Sequence, residues 1–335
     1  MTNVAIRCRA AGALTIVLIA AACSSASSSS APTTARRSAP TSAAAGNGGA
    51  TTSTTTKPAT CAARPHASGQ FSQTFMFQNV ARTYQLYVPP GYRGTTAVPL
   101  VFDFHGYGSN AVQQMVYGNF EPLARSNDFL IVAPDGQDTG SKRHFNLTGE
   151  KGLQNDITMV LALLDHIEAT FCVDTARVYS TGMSDGGGMT SVLACLAADK
   201  FAAFGPVAVQ VYRPGCAGTH PIAMVAFHGT ADPIVAYNGA KADGVDLGAV
   251  PTTMAQWAAH DHCDAKYTDA SLGTQVQRRT WTGCDGTSSV VLYSIIGGGH
   301  TWPGSLAIPA FGLTTTQINA SNTIWAFFAA HPLQG

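Results

Sequence analysis

Apolar residues along this chain fall into two kinds of pattern. Short apolar runs bounded by Gly, Pro, Asn or Asp predict strands over Gln73–Phe77, Thr83–Val88, Leu100–Phe104, Phe129–Ala133, Arg177–Thr181, Ala203–Ala208, Ile222–Phe227 and Val290–Ile295. Longer periodic stretches predict helices over Ala111–Ser126, Asp156–Thr170, Gly186–Ala198, Thr252–His262 and Thr316–Ala330. The clearest is the Asp156 helix, where Ile157, Val160, Leu161, Leu164 and Ile167 form one stripe behind an Asn155 cap. Strands alternating with helices predict an α/β domain, its mostly parallel sheet covered by helices on both faces. No internal repeat is apparent.

The N-terminal part follows neither pattern. The first 22 residues open with Arg7 and Arg9 and run on in apolar residues from Ala10 to Ala22. That run is too short to span a bilayer and has the form of a signal-peptide core. It ends at Ala20-Ala21-Ala22-Cys23, which resembles a bacterial lipobox with Cys23 as the acylated new N-terminus. Ala20 stands where leucine is usual, so ordinary cleavage and secretion is the alternative. Ser24 to Thr60 is almost all Ser, Thr, Ala, Pro and Gly, a disordered tether. The expected order is therefore signal peptide (1–22), lipidated cysteine and tether (23–60), and folded domain (61–335), held on the outer face of the plasma membrane.

Charge narrows the class of partner. No acid precedes residue 61, so the domain holds all 19 Asp and Glu. Removing the five basic residues of the leader and tether from 19 leaves 14, a formal charge of −5. A mildly acidic domain without basic clusters has no footprint for nucleic acid. Apart from Cys8 and Cys23, the cysteines are Cys61, Cys172, Cys195, Cys216, Cys263 and Cys284. An even set in an exported chain predicts disulfides, although six cysteines allow 15 connectivities. Proximity and layout favour Cys195–Cys216 and Cys263–Cys284, leaving Cys61–Cys172. His260-Asp261-His262-Cys263 has a superficial metal-site look, but residues two apart on a helix share no face. Neither a metal nor a cofactor is expected.

Three segments carry candidate chemistry. Gly182-Met183-Ser184-Asp185-Gly186 is a G-x-S-x-G, a weak signal alone in a chain with 34 glycines. Its setting strengthens it, because a predicted strand enters and a predicted helix leaves, as a nucleophile elbow requires. Asp232 in His228-Gly229-Thr230-Ala231-Asp232 and His300 in Gly297-Gly298-Gly299-His300 follow, each after a predicted strand. Serine, acid, histidine is the chain order of a hydrolase triad built on such a sheet. A serine hydroxyl needs a base during attack, which would be His300, and Asp232 would orient and stabilise it. Asp185, Asp135 and Asp103 are rival acids, whereas His105 and His228 are rival bases that read as structural residues at strand ends. His105-Gly106-Tyr107-Gly108 follows an early strand, so the backbone N–H groups of Tyr107 and Asp185 are the candidate oxyanion donors.

The segments GMSDGG (182–187), HGTADPIV (228–235) and GGGHTWPG (297–304) resemble a known family. It comprises extracellular polyhydroxybutyrate depolymerases and feruloyl or acetylxylan esterases, and the similarity is greatest to its mycobacterial and related actinobacterial lipoprotein branch. The resemblance runs from about Cys61 to the C-terminus. It implies a single α/β-hydrolase domain, Ser184 as nucleophile, Asp232 as acid and His300 as base. Family cysteines match Cys263 and Cys284, which supports their pairing. Polymer depolymerases usually append a polymer-binding domain, and neither flank of this chain reads as one, which argues against crystalline polyester as substrate.

The expected activity is hydrolysis of small or oligomeric carboxylic esters, of feruloyl, acetyl or short hydroxyalkanoate type, through an acyl-enzyme in a monomer. Trp302 is a candidate pocket residue with a core aromatic as the alternative, Tyr107 would close over the substrate or else shield the oxyanion loop, and the loops Gly136–Gln154 and Tyr237–Val250 would shape the pocket. Alternatives are acyl transfer to envelope sugars of the mycolyltransferase type, peptide hydrolysis, and a binding-only lipoprotein. A peptidase would need an added domain or charged pocket that the chain does not display. A binding protein would not need all three triad members.

Overall fold

A computed structural model describes residues 59–333 except 141, 148, 214, 215, 217–219, 240, 243 and 244. The expected signal peptide, Cys23 and nearly all of the tether lie outside the described residues. Pairing starts just before Cys61, where Thr60 bridges Thr96 and the Ala97 N–H donates to Ala59 at 2.8 Å.

The strands are β1 (Gly69–Phe77), β2 (Val80–Val88), β3 (Val98–Phe104), β4 (Leu130–Pro134), β5 (Gln137–Asp138), β6 (Arg143–His144) and β7 (Val173–Met183). They continue with β8 (Ala203–Val207), β9 (Ala223–Gly229), β10 (Lys241–Ala242), β11 (Val245–Asp246), β12 (Tyr267–Ser271), β13 (Val276–Trp281) and β14 (Val290–Ile295). The helices are α1 (Ala111–Gly118), α2 (Glu121–Asn127), α3 (Asp156–Thr170), α4 (Asp185–Leu196), α5 (Val250–His260) and α6 (Ala320–Ala330). Among the described residues ten strands form one sheet, in the order β1-β2-β4-β3-β7-β8-β9-β14-β13-β12. From β4 to β14 the pairs are parallel, and at both flanks they are antiparallel. The hairpins β5–β6 and β10–β11 stand apart from it.

Two-sided burial explains the central strands. Every residue of β3, β4, β8, β9 and β14 is buried, which is why they read as continuous apolar runs. Leu100, Phe102 and Phe104 of β3 enter one apolar layer with α3, α4 and α5, whereas Val101 enters the other with α1, α2 and α6. The expected α/β-hydrolase architecture, a single domain with helices on both faces, is the one observed. At the start of α3 Asn155 caps the Ile157 and Thr158 N–H groups. Asp156 is buried there, paired with Arg82 of β2 at 2.5 Å and accepting the Asn146 N–H at 2.7 Å.

Several elements differ from the sequence pattern. The single helix expected over Ala111–Ser126 is two, because Asn119 takes a left-handed φ of 47° and Pro122 sits in the first turn of α2. The last helix starts at Ala320, where the Asn319 side chain caps the Asn322 N–H at 2.8 Å. Strands β12 and β13 were not expected. β12 is largely exposed, and β13 carries Arg278 and Arg279 mid-strand, so neither shows apolar alternation. Arg279 holds its cross-strand partner Asp269 through two hydrogen bonds, 2.9 and 2.8 Å.

Disulfides join Cys61–Cys172, Cys195–Cys216 and Cys263–Cys284, the three expected pairs. His105, just past β3, fastens two loops. Its Nε2 accepts the Gly136 N–H at 2.9 Å and its Nδ1 lies 2.8 Å from the Gly106 carbonyl, so the ring is the neutral tautomer with its proton on Nδ1. Burial holds its pKa down at about 4.

Two outcomes follow. Cys61–Cys172 closes a separation of 111 residues and Cys263–Cys284 one of 21. By chain entropy, serine replacement of the first pair should cost about 5 kcal/mol and of the second about 3. Equal urea midpoints for the two double variants would contradict that ordering. His105 is neutral when folded and protonates near pH ~6.5 when unfolded, so the unfolded state binds more protons between ~6.5 and about 4. Stability from this residue is complete above that window and is lost as pH falls through it, by roughly 3 kcal/mol. His105→Gln should therefore lose less stability than wild type between neutral pH and the bottom of the window, and equal losses would refute the assignment.

Candidate active site

β7 delivers the chain to Ser184, whose φ of 57° and ψ of −117° are unusual for a residue with a side chain. The turn is pinned on both sides. Ser184 N–H donates to the Val207 carbonyl at 2.9 Å, and its own carbonyl accepts the Gly188 N–H at 2.9 Å. A Cβ on Gly186 would overlap the Phe104 and His105 backbones, so only glycine permits this approach of α4 to β3. The Asp185 carboxylate accepts the Phe145 N–H at 2.8 Å and so tethers the loop after β6.

Asp232 and His300 follow β9 and β14, on the same carboxyl edge of the parallel strands as Ser184. The structure joins them, with His300 Nδ1 2.8 Å from Asp232 Oδ2 and both residues buried. Asp232 Oδ1 accepts the Ile234 and Val235 N–H groups, each at 2.8 Å, which fixes the carboxylate plane. The His300 N–H donates to the Phe311 carbonyl at 2.7 Å. The two loops press back to back at Gly229, where a Cβ would strike the Gly298 and Gly299 carbonyls.

Burial would raise the Asp232 carboxyl. Hydrogen bonds from His228, His300 and the Val235 N–H, with the His300 charge, outweigh it and hold the group well below the usual carboxylate range. His228, read from sequence as a loop residue, therefore touches the site, with Nε2 3.4 Å from Asp232 Oδ2. Its position four residues before the acid was the available signal. Gln210, which meets His228 Nδ1 at 2.7 Å, had none.

The rival groups lie elsewhere. Asp103 is enclosed on β3 with Gln114 as donor at 2.7 Å, and burial raises its pKa well above the ordinary value. Asp135 accepts the Ala111 N–H at 2.8 Å and the Thr83 hydroxyl at 2.7 Å, so it anchors α1 to β2. His105 is committed to Gly106 and Gly136.

Tyr107 is 54 % exposed, with Lys142 Nζ 5.2 Å above its ring, beside the candidate oxyanion loop. That loop lies against the serine, since a Cβ on Gly106 would come within 3.3 Å of Ser184 Cβ. Trp302 is not a pocket residue. It is fully buried, its indole N–H donates to Ser321 Oγ at 2.9 Å, and its ring meets Phe120 edge-on at 6.0 Å. The large aromatic packs the His300 loop onto α6. The segments that follow Asp232 and flank His300 carry the exposed apolar residues Ile234, Ile296, Leu306, Ile308 and Leu313. Among the described residues no His, Cys, Asp and Glu cluster could hold a metal ion.

The family model for the esterase PHB depolymerases matches residues 82–278, a span that holds Ser184 and Asp232 and stops before His300. A probable feruloyl esterase C of Aspergillus oryzae is 30% identical over 257 residues, covering 74% of this chain and 84% of the relative. A putative esterase, NocK, of Nocardia uniformis is 28% identical over 72% of this chain and 77% of its own. An acetyl xylan esterase from Aspergillus awamori superposes with a TM-score of 0.56 at 16% identity, over 78% of this chain and all of that one. The chain belongs to the esterase PHB depolymerase family and is a carboxylic-ester hydrolase.

Proposed function

We propose that the protein is an exported serine esterase with Ser184 as nucleophile, His300 as general base and Asp232 as its orienting acid. The observation that carries this is the buried Asp232–His300 hydrogen bond of 2.8 Å on the sheet edge that also bears the Ser184 turn. His300 Nε2 takes the hydroxyl proton as Ser184 Oγ attacks the ester carbonyl. The N–H groups of Tyr107 and Asp185 receive the oxyanion, a contribution of roughly 3–4 kcal/mol per donor in a dry site. Collapse of the adduct breaks the bond to the alcohol, which leaves with the proton from His300. Water, deprotonated by the same histidine, then cleaves the acyl-serine and regenerates the enzyme.

Relatives named as feruloyl and acetyl xylan esterases favour an aromatic or short acyl group on a sugar hydroxyl. Three disulfides support an oxidising, extracytoplasmic setting, and Cys23 is the proposed lipid anchor.

Ser184→Ala should lower kcat/KM for p-nitrophenyl acetate by more than about a thousandfold with an unchanged melting curve, and a fluorophosphonate should label wild type alone. Asp232→Asn should lose about ten-thousandfold through the wrong imidazole tautomer. Retention of more than about a thousandth of wild-type activity by Ser184→Ala would mean another nucleophile. Feruloyl esters, acetylated sugars and hydroxybutyrate oligomers, assayed side by side, rank the acyl groups. Cys23→Ala should move the protein from the membrane to the soluble fraction of the producing cell, and unchanged partitioning would remove the anchor from the proposal.

A further inference from the structure

Two histidines reach the same carboxylate oxygen. His300 Nδ1 lies 2.8 Å from Asp232 Oδ2 and His228 Nε2 lies 3.4 Å from it. The His228 side chain is fully buried, and the hydrolytic steps above leave it without a task.

Its surroundings restrict its proton count. Nδ1 is 2.7 Å from Gln210 Oε1, and Nε2 is 2.9 Å from the Val235 carbonyl besides the Asp232 contact. All three neighbours are oxygens. The Gln210 amide cannot turn over to supply a donor, because its Nε2 already donates to the carbonyls of Phe227 at 3.1 Å and Pro206 at 3.3 Å. Reversal would set its oxygen against both of them. A neutral imidazole has one N–H and one lone pair, so in either tautomer the lone pair would face an oxygen. An N–H on each nitrogen satisfies every partner, and the ionised Asp232 beside it balances the charge.

We infer that His228 is a resident imidazolium and the positioning residue for Asp232, so that His228, Asp232 and His300 form a charged His–Asp–His array. The inference rests on the reading of Asp232 and His300 as acid and base. The Gln210 amide and the Val235 carbonyl aim the His228 ring, and the ring in turn fixes Asp232 Oδ2 and offsets its charge. Because part of that charge is already neutralised, Asp232 exerts a weaker pull on charge that develops at His300. The titratable groups facing His228 are Asp232, His300 beyond it, and Tyr237, whose ring lies edge-on at 5.9 Å. Burial raises the Tyr237 phenol, which bonds Ser294 Oγ at 2.6 Å and stays neutral.

Two measurements test this. In 15N-histidine-labelled wild type at about pH 7.5, the His228 ring, assigned by its NOEs to Tyr237, should show a proton on both nitrogens. One protonated nitrogen overturns the inference, whatever the enzyme's activity. His228→Gln removes the charge and keeps a donor. The rising limb of its kcat/KM against pH should move up by about one unit. A folded His228→Gln enzyme with an unmoved limb would also overturn it. Loss of the serine-esterase reading, through an active Ser184→Ala, would leave the ring-nitrogen result standing, so the two failures are distinguishable.

Discussion

The turn at Ser184 is the constraint on which the site depends. A residue with a side chain at φ 57°, ψ −117° costs on the order of 1–3 kcal/mol and persists only where its surroundings leave no alternative. Here β7 is clamped between β3 and β8, and α4 is buried along nearly its whole length. The hydrogen bond to Val207 fixes the depth of the turn. Gly186 fixes its closeness, because any side chain there would push α4 off the Phe104 carbonyl. The strain is thus held by the centre of the sheet, the part least able to relax.

Electrostatics at the same edge depend on how many donors a buried carboxyl receives. Asp103 and Asp232 are both buried, and desolvation raises each of them. Asp103 receives one side-chain donor, Gln114, and its pKa stays far above the usual range. Asp232 receives two backbone N–H groups and two imidazoles, and the balance reverses. Asp261 falls between these cases. It has His260 at 2.7 Å and the Ile222 N–H at 2.9 Å, yet its pKa remains raised. Burial alone therefore does not set Asp232 apart from the other buried carboxyls. Convergent donors do, and convergence is a property of the folded chain.

That distinction explains what could be read from the residues alone. The central strands were legible because burial on both faces writes an unbroken apolar run. The order Ser184, Asp232, His300 was legible because chain order survives folding. The β12–β13 hairpin was not, since its stability comes from Arg279 reaching Asp269 and stacking on Tyr267 at 3.6 Å rather than from apolar alternation. Trp302 was misplaced for a similar reason. Two residues from His300 in sequence, its side chain enters the core beneath the loop, and only the position of α6 determines that. His228 carried a signal that a structural role explained equally well until its neighbours were known to be acceptors.

The antiparallel flanks complete the logic of the sheet. If the parallel set ended at β14, the strand leading to His300 would be an exposed edge, prone to fraying and to pairing with other chains. β13 and β12 cover it, and the Cys263–Cys284 disulfide ties the end of α5 to the segment between β13 and β14. The true edge, β12, is short and carries Asp269, paired with Arg279 of β13, features that discourage further pairing. On the other side β1 and β2 shield β4 in the same way. Ser184, Asp232 and His300 all follow interior strands, and the strands at the rims bear none of them. The three residues of the candidate site are therefore supported by neighbours on both sides, and the exposed edges fall where none of them is placed.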